Sequence, residues 1–407
     1  MQCRHCQSNI SLELCNLGFA PVSNGYLSNE ALSAKENYYP LRVGVCNSCW
    51  LVQTEDFSSP EELFSADYAY FSSASSSFLT HAKSYVHMIE QRLNLNSSSL
   101  VCEIASNDGY LLKNFKEKNI PCYGVEPTQS TAEASEKLGI KNIKEFFGNE
   151  LAKELAKKDM QCDLILGNNV FAHVPDINDF TAGIATLLKP GGVVTLEFPH
   201  LLRLLESCQF DTIYHEHYSY LSLHAVEKIF SRAGLRIFDV EEIDTHGGSI
   251  RVFGCHDKGA IKELQSVRNL LDYEKDFGIC KESTYQGFQT KVDYIKNSLL
   301  EFLLEQKGKN KIVVGYGAAA KGNTLLNYSG IKPDLISHVF DGAESKQNKF
   351  LPGSHIPILE PSKISEIDPD YIIIFPWNIA NEIQKIAKPM VRGDVKFVVA
   401  IPELKII

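Results

Sequence analysis

Apolar, strand-like runs that alternate with helical stretches fill the middle of the chain, from about residue 67 to 257, and they constrain the fold most. These runs are LVCEIAS, PCYGVEP, CDLILGNNVF and GGVVTLEFP. Their βα spacing predicts a mainly parallel sheet covered by helices. The same stretch ends in LRIFDVEEI and GSIRVFGCH, joined by a polar turn. This pair predicts an antiparallel hairpin that closes the sheet.

A second βα series follows a charged helical stretch and consists of KIVVGYG, LISHVFD, DYIIIFPWN and KFVVAIP. A chain of 407 residues is also too long for one ordinary core. We therefore expect an α/β protein of three units. They are a small metal-binding domain over 1–65, a Rossmann-like α/β domain over 66–258, and a smaller Rossmann-like α/β domain over 259–407.

Composition limits the partners. The formal net charge of -10 disfavours broad electrostatic binding to nucleic acid or to an anionic membrane. No apolar run is long enough to span a membrane, and the first residues, MQCRHCQSN, lack the apolar centre of a secretory signal. We expect a cytoplasmic monomer that binds a small molecule, with neither a nucleic-acid nor a membrane partner.

Two Cys-x-x-Cys pairs stand near the start of the chain, and their four members are Cys3, Cys6, Cys46 and Cys49. Four thiolates suit tetrahedral zinc, and a site filled by four protein ligands has no position left for a substrate. A pair of redox motifs is the alternative, but neither pair lies in a thioredoxin-like βα unit. His5 lies inside the first pair and could replace a cysteine. The pattern predicts a structural zinc site that helps a small domain to fold.

The run VCEIASNDGYLL predicts a strand, a tight polar turn and the start of a helix. The next strand ends at Glu126, where an acid can accept hydrogen bonds from both ribose hydroxyls of a nucleoside. One glycine stands where dinucleotide sites have three, so an adenosyl group without phosphates fits better than NAD. An ordinary α/β turn is the alternative. The candidate contacts in these two segments are Glu103, Ala105, Asn107, Gly109, Tyr110, Leu111, Glu126 and Pro127.

Further candidates for the same ligand follow later strands. Asn168 and Asn169 come at the carboxyl end of a strand, where open α/β sheets bind ligands. Phe146 and Phe147 follow another strand-like run and could flank an adenine ring, although paired phenylalanines are more often core residues.

The densest chemistry lies in DTIYHEHYSYLS, where residues 214–218 all carry titratable side chains. A metal site is disfavoured, because His-Glu-His lacks the helical HExxH spacing and successive residues of a strand point to opposite faces. Acid–base catalysis fits better, because a histidine that titrates near neutrality can remove a proton beside a carboxylate or phenol. A polar surface loop is the remaining alternative.

In its motifs the chain resembles the three-domain sugar C-methyltransferases. The shared motifs are the two cysteine pairs, EIASNDGYLL, NNVFAHVPD, YHEHYSYLS, THGGSIRVF, GYGAAAKGNTLLN and LPGSHIPI, in that order. The resemblance implies a methyl transfer from S-adenosylmethionine to a ring carbon, C3, beside the ketone of a nucleoside-diphosphate 4-keto-deoxysugar. It further implies His217 as the general base with Tyr214 and Glu216 beside it. His173 and Tyr68 are expected in the same cleft, with Tyr70 as a near alternative to Tyr68.

The second βα series has a stronger dinucleotide fingerprint than the first, because GYGAAAKG contains G-x-G-x-x-A and Asp341 ends the next strand. A nicotinamide-dependent nucleotide-sugar oxidoreductase is therefore the main rival. The resemblance instead implies that this domain holds the nucleotide sugar, with Lys321 and Asn323 at its phosphates.

Two residues of THGGSIR, His246 and Arg251, are further candidates for the substrate site. An ion-paired structural role is an equal alternative for Arg251. A zinc-ribbon RNA methyltransferase or nucleic-acid adaptor is a second rival for the whole chain, and the acidic charge weighs against it.

Overall fold

The computed structural model describes residues 1–57, 71–74 and 76–407. In chain order, its strands are β1 Leu12–Ala20, β2 Tyr39–Val45, β3 Val52–Thr54, β4 Val101–Ile104, β5 Cys122–Val125, β6 Lys141–Ile143, β7 Cys162–Asn168, β8 Leu188–Pro199, β9 Ser219–Tyr220, β10 Leu235–Ile243, β11 Ser249–His256, β12 Val313–Tyr316, β13 Val339–Phe340, β14 Ile358–Leu359, β15 Tyr371–Ile374, β16 Lys396–Val399 and β17 Lys405–Ile406. The α-helices are α1 Ser76–Leu93, α2 Leu112–Glu117, α3 Gln129–Lys137, α4 Asn149–Lys157, α5 Ile177–Leu187, α6 Leu201–Glu206, α7 Leu223–Arg232, α8 Gln265–Phe277, α9 Glu282–Tyr285, α10 Phe288–Gly308, α11 Ala320–Ser329, α12 Ile364–Ile367 and α13 Ala380–Ala387.

The central sheet has seven strands in the order β10-β11-β8-β7-β4-β5-β6. Its strands from β6 across to β8 are parallel, whereas β11 pairs antiparallel with both β8 and β10. The predicted closing hairpin is therefore confirmed. Because the parallel strands share one direction, the loops that follow β4, β5, β7 and β8 meet at one edge of the sheet, where open α/β sheets bind ligands.

The carboxyl-terminal sheet has six strands in the order β14-β13-β12-β15-β16-β17. All its pairs are parallel except the last, between β16 and β17. The loop GYGAAAKG follows β12 and leads into α11, as the fingerprint predicts. The α/β fold class with two Rossmann-like units is confirmed.

The amino-terminal sheet is antiparallel and has the order β1-β2-β3-β9. Its fourth strand comes from the YHEHYSYLS segment, far along the chain. Its buried residues, such as Leu14, Val43 and Val45, belong to one apolar cluster with Val292 and Leu299 of α10. The small domain thus completes its core with the carboxyl-terminal part of the chain, which supplies the apolar material that its own sequence lacks.

Two helix starts fix the segments that carry the candidate catalytic histidines. The Asp176 side chain accepts a hydrogen bond from Asp179 N (2.9 Å) and caps α5, just after His173. Likewise, Ser222 Oγ accepts a hydrogen bond from Ala225 N (3.1 Å) and caps α7, just after the YHEHYSYLS segment. Such caps satisfy backbone donors that a helix leaves free and are worth about 1 kcal/mol each.

Across the described ranges, no helix is both long enough and apolar enough to cross a membrane.

Candidate active site

The loop after β4 is shaped by left-handed backbone conformations at Ala105 (φ 55), Asn107 (φ 49) and Gly109 (φ 77). A Cβ atom added to Gly109 would lie 2.6 Å from Ser135 Oγ of α3, so both the conformation and the close packing require glycine. The sequence predicted this turn. The left-handed conformations at these three positions make the turn tight.

Glu126, at the end of β5, is fastened to the same loop. Its Oε2 accepts a hydrogen bond from Asn107 N (2.8 Å), and its Oε1 accepts one from Thr128 N (3.0 Å). Burial raises the pKa of Glu126, whereas these backbone amides oppose that shift. The acid predicted from the sequence therefore lies directly after β5, beside Pro127, and its contact with ribose hydroxyls stays a prediction.

Glu103 lies beneath this loop and is only 1 % exposed. Burial raises its pKa well above the ordinary value, and the carboxylates of Asp108 and Glu126 add to the effect. Leu111 and Tyr110 are also buried, and the Tyr110 ring packs against Phe78 of α1 at 6.0 Å between centroids. Contacts of these three residues with a cofactor stay predictions.

Asn168 is the last residue of β7, and Asn169 follows it at the same edge of the sheet. Asn169 has a left-handed backbone (φ 55), and its N–H donates to the carbonyl oxygen of Glu197 at 2.7 Å. Phe147 packs edge-on against Phe180 at 5.4 Å, whereas Phe146 is 45 % exposed. Of the two phenylalanines, Phe146 therefore has the ring that is free to cover an adenine.

His217 and His173 lie in contact, with ring centroids 4.6 Å apart and planes at 69°. Tyr214 is also adjacent, with its ring centroid 4.0 Å from that of His217. The Nδ1 atom of His217 is 2.9 Å from the carbonyl oxygen of Thr212. Because a carbonyl only accepts hydrogen bonds, Nδ1 carries the proton, and the neutral ring then has its lone pair at Nε2. The structure brings together three of the predicted catalytic residues.

Both imidazoles are held neutral. Burial lowers the pKa of His217 well below its ordinary value, and the nearby His173 adds to the shift. Burial also lowers the pKa of His173 to about 4, against a hydrogen bond with the backbone of Glu216. At neutral pH His217 therefore has the basic form that proton abstraction requires.

Glu216 and His215 point away from His217. Glu216 Oε1 accepts hydrogen bonds from the backbone N and the Nδ2 of Asn24, both at 3.1 Å, and burial raises the pKa of its carboxyl. His215 Nε2 donates to the carbonyl oxygen of Pro40 at 3.2 Å. These contacts join the catalytic segment to the amino-terminal domain. Glu216, expected beside His217, is thus bonded to Asn24 instead, and the three side chains of His-Glu-His have separate partners and do not gather as a metal site.

Lys321 lies close to the histidines. Its Nζ donates to Asn378 Oδ1 (2.8 Å) and lies 4.8 Å from the centroid of the Trp377 ring. Burial lowers the pKa of Lys321, which the Asp211 carboxylate opposes. The Lys321 cation in turn contributes to the lowered pKa values of His217 and His246. Its predicted phosphate contact stays a prediction.

Three contributors to this site were missed from the sequence, namely Asp211, Trp377 and Asn24. Trp377 Nε1 donates to Asp211 Oδ2 at 2.7 Å, and burial raises the pKa of Asp211 to about 6. Asp211 opens the catalytic segment and was visible there, whereas Trp377 stands in a loop of the second βα series and had no local signal. The hydrogen bond from Trp377 to Asp211 joins the carboxyl-terminal domain to the catalytic segment.

Asn323 and Arg251 are engaged within the protein. Asn323 is 1 % exposed, and its Nδ2 donates to the carbonyl oxygen of Ser23 at 2.7 Å. Arg251 pairs with Glu197 (2.6 Å) and Glu241 (3.2 Å), which is the ion-paired alternative foreseen for it. Substrate contacts by either residue stay predictions.

His246 lies in the turn between β10 and β11 with a left-handed backbone (φ 55). Its ring packs edge-on against Phe78 at 5.4 Å, and burial lowers its pKa to about 4. Its Nε2 is buried without a protein hydrogen-bond partner among the described residues. Tyr68 and its alternative Tyr70 lie outside the described residues.

The four predicted zinc ligands converge. Their sulfur atoms all lie within 4.8 Å of one another, with Cys3 and Cys49 at 3.5 Å and Cys6 and Cys46 at 3.5 Å. A tetrahedral zinc with bonds of about 2.3 Å needs sulfur atoms about 3.8 Å apart, so the set fits a closed zinc site. His5 instead places Nδ1 2.8 Å from Asn178 Oδ1 of α5. It therefore contacts the central domain and does not replace a cysteine.

The loop GYGAAAKG after β12 is hydrogen-bonded to neighbouring protein groups. Asp341 accepts hydrogen bonds from Ala318 N (2.6 Å) and Ala343 N (2.8 Å). Tyr26 Oη and Lys346 Nζ both donate to the carbonyl oxygen of Ala318, at 2.6 and 2.9 Å. The amino-terminal domain thus contacts this turn through Tyr26.

Three family models match the chain. They describe a zinc binding domain over residues 3–64, a methyltransferase domain over 80–240 and a C-methyltransferase C-terminal domain over 244–402. The chain is 34% identical over 406 residues to C-methyltransferase NovU from Streptomyces niveus, which covers 100% of this chain and 96% of the relative.

Solved structures give weaker likenesses. An S-adenosylmethionine-dependent methyltransferase from Clostridium acetobutylicum aligns with a TM-score of 0.37 and 14% identity, over 44% of this chain and 92% of that one. Magnesium protoporphyrin IX methyltransferase from Synechocystis, solved with bound S-adenosylmethionine, aligns with a TM-score of 0.34 and 15% identity, over 44% and 79%. Likenesses of this degree carry no argument about function.

Proposed function

Since the chain belongs to the C-methyltransferases that join a zinc-binding domain, a methyltransferase domain and a C-methyltransferase C-terminal domain, we propose that it methylates a carbon acid with S-adenosylmethionine. The substrate that we propose is a nucleoside-diphosphate 4-keto-deoxysugar, and the carbon is C3, beside the ketone. The observation that carries the proposal is the buried His217, whose Nδ1–H is fixed by Thr212 and whose Nε2 bears the lone pair.

The first chemical step is proton removal. The ketone acidifies the neighbouring C–H bond, and His217 Nε2 takes that proton, so that an enolate forms and the imidazole becomes cationic. Two features favour this step: the base is already neutral and it is held in one tautomer. His173, in contact with the same ring, and Tyr214 restrict its orientation.

The developing negative charge needs stabilisation in a site with little water. Lys321 is the cation whose field reaches both His217 and His246, and it is held by Asn378 and Trp377. A fixed positive charge near a developing oxyanion lowers the barrier without reorganisation cost. Lys321 therefore attracts an anionic substrate and favours its enolate.

S-adenosylmethionine, when bound, supplies an electrophilic methyl group on a sulfonium. The loop after β4 and Glu126 would hold its adenosyl part, and Asn168 and Phe146 would border it. The enolate carbon would accept this methyl group as the sulfur–methyl bond breaks, and His217 would later release its proton to solvent. The four-cysteine zinc site supplies no open coordination position and takes no part in these steps.

Two titrations and one product analysis test the proposal. We expect calorimetry to show binding of S-adenosylhomocysteine and not of NAD. Mass spectrometry should then show one labelled methyl group added to a keto-sugar nucleotide in the presence of labelled cofactor. Binding of NAD alone would favour the oxidoreductase. Binding of S-adenosylhomocysteine with methyl transfer to RNA, and to no sugar, would favour the RNA methyltransferase.

A further inference from the structure

Arg4 lies between two of the zinc ligands, in the segment Cys3–Cys6 that we call the zinc knuckle, and its side chain is only 7% exposed. Its Nη1 donates to the carbonyl oxygen of Pro175 at 2.8 Å. Its Nη2 donates to the carbonyl oxygen of Thr54 at 2.8 Å and pairs with Asp56 Oδ1 at 2.8 Å. One guanidinium thus holds two backbone segments that lie far apart in the sequence.

Each of these segments leads directly to a catalytic histidine. Pro175 follows His173 by two positions, on the loop before α5. Thr54 Oγ1 donates to the carbonyl oxygen of His217 at 3.0 Å, and Tyr218 N donates to the carbonyl oxygen of Ala172 at 2.8 Å. The Arg4 guanidinium also lies 5.2 Å from the centroid of the Tyr218 ring. Arg4 therefore spans the two segments whose spacing sets the contact between His173 and His217.

The zinc knuckle fixes Arg4 in turn. Gln53, which is 1 % exposed, accepts a hydrogen bond from Arg4 N at 2.8 Å and donates to Cys3 Sγ at 3.3 Å. The backbone of Gln53 pairs with Ser219, two residues after His217, in the β3–β9 ladder. The metal ligands, Arg4 and the catalytic segment are thus joined by direct contacts.

We propose that Arg4 is a positioning residue, through which the zinc knuckle holds His173 and His217 in their catalytic arrangement. It acts through Pro175 and Thr54 and does not touch the substrate. The zinc site then sets the geometry of the reaction centre in addition to folding its domain. The kinetic part of this inference rests on the proposed function, whereas its structural part does not.

The choice of arginine makes the inference testable by a conservative change. A guanidinium has five N–H donors in one rigid plane, so it can serve two carbonyl oxygens and a carboxylate at once. A lysine keeps the charge and the length but cannot hold two separated carbonyls in one plane. Arg4→Lys should therefore lose most of the positioning effect while it keeps the knuckle folded.

The experiment compares Arg4→Lys and Arg4→Met with the control Arg42→Met. Arg42 lies on β2 of the amino-terminal sheet, is 47% exposed and forms an ion pair with Glu55 at 3.0 Å. Three quantities are measured for each variant: zinc content, affinity for S-adenosylhomocysteine, and the NMR signals of ring-labelled histidines. The signals of the two histidines are assigned from the spectra of His173→Asn and His217→Asn.

We expect both Arg4 variants to retain zinc and to bind S-adenosylhomocysteine within about twofold of the wild type, and their His173 and His217 signals to shift. Turnover should fall about 10- to 100-fold, mainly in kcat, as for other groups that orient a catalytic residue. The control should change none of these. Unshifted signals of both histidines in the Arg4 variants, or loss of zinc from both, would overturn the proposal. The NMR result stands whatever the substrate proves to be.

Discussion

At the scale of single residues, the proposed proton removal depends on the protonation state of His217. Burial and the neighbouring His173 lower its pKa well below the ordinary 6.5. The base form should therefore persist as the pH falls through 6.5. We expect kcat/KM to stay constant from pH 8 to 6.5 and to fall only in more acidic solution.

Asp211, whose pKa burial raises to about 6, is another group near the site that titrates in this range. The pH profile of Asp211→Asn separates its contribution, because only the limb of His217 should remain. If kcat/KM of Asp211→Asn still falls at or above pH 6.5, the result would contradict a lowered pKa for His217.

A second residue-scale prediction concerns the buried Glu197, which bonds His81, Arg251 and Thr245. Burial opposes its ionisation, but the His81 and Arg251 contacts outweigh burial and lower its pKa to about 2. Glu197→Gln should cost about 3–5 kcal/mol of unfolding free energy at pH 7, since it leaves Arg251 buried without its closest carboxylate.

The pH dependence of that loss follows from the sign of the shift. Because the folded pKa lies below the unfolded value of about 4.3, the stabilisation is complete above that value and disappears as the pH falls towards 2. Denaturant unfolding of both proteins at pH 7 and pH 3 should therefore show a smaller difference at pH 3. An equal difference at both values would contradict the ion-pair account.

Some of the site could be read from residue types and some could not. Local sequence patterns identified His217, Glu126 and the four cysteines. In the structure His217 is hydrogen-bonded to Thr212, Glu126 is bonded to the loop after β4, and the cysteines converge. Asn24 and Trp377 carry no such signal, since each acts through a partner more than a hundred residues away. Contacts of that range depend on how domains pack, which no local pattern encodes.

At the scale of elements, the turn between β10 and β11 packs against the carboxyl-terminal domain. Gly247 has φ 89, and a Cβ atom there would overlap the Trp377 ring. Gly247→Ala should therefore destabilise the protein by about 1–3 kcal/mol and move Trp377 away from Asp211. Gly191→Ala is the matched control, because a Cβ at Gly191 has no atom within 4 Å.

The measurement is denaturant unfolding together with indole fluorescence. The protein has two tryptophans, so a Trp50→Phe background isolates Trp377. We expect altered Trp377 emission and weaker binding of the substrate in Gly247→Ala, and neither change in Gly191→Ala. Equal stability and equal emission in the two variants would show that this contact is loose.

The strands themselves were largely predictable, and one pairing was not. The runs that became β4, β5, β7 and β8 are rich in Val, Leu, Ile and other apolar residues and are mostly buried, as expected of strands covered on both faces. In contrast, β9 has only two residues, and it pairs with β3 across more than 150 positions. A two-residue strand has no periodicity, so its partner is decided by tertiary packing.

At the scale of the whole molecule, the amino-terminal domain contacts both of the other units. The amino-terminal sheet shares its core with α10 and its last strand with the catalytic segment. The sequence predicted a structural zinc site. It did not predict that the amino-terminal domain shares an apolar core and a strand with the other domains, because a boundary drawn from composition does not show such sharing. The boundaries at 65 and 258 stay predictions.

Loss of zinc should consequently destabilise the protein as a whole. Cys6→Ser removes one ligand and should abolish stoichiometric zinc binding and lower the melting temperature, because binding of a structural zinc is coupled to folding. Cys280→Ser, at a partly buried cysteine outside the cluster, should keep zinc and melt close to the wild type. Metal analysis and calorimetric melting measure both. An unchanged melting temperature in Cys6→Ser would contradict the structural role of the metal.

Hydrogen exchange in heavy water tests directly whether His217 removes a carbon-bound proton of the substrate. The keto-sugar nucleotide is incubated with enzyme and S-adenosylhomocysteine, which occupies the cofactor site but has no methyl group to give. We predict that the wild type replaces the proton beside the ketone with deuterium. His217→Asn should bind S-adenosylhomocysteine normally and lose this exchange by at least about 100-fold, whereas His87→Asn, at an exposed position, should exchange normally. Exchange at the wild-type rate in His217→Asn would contradict the account.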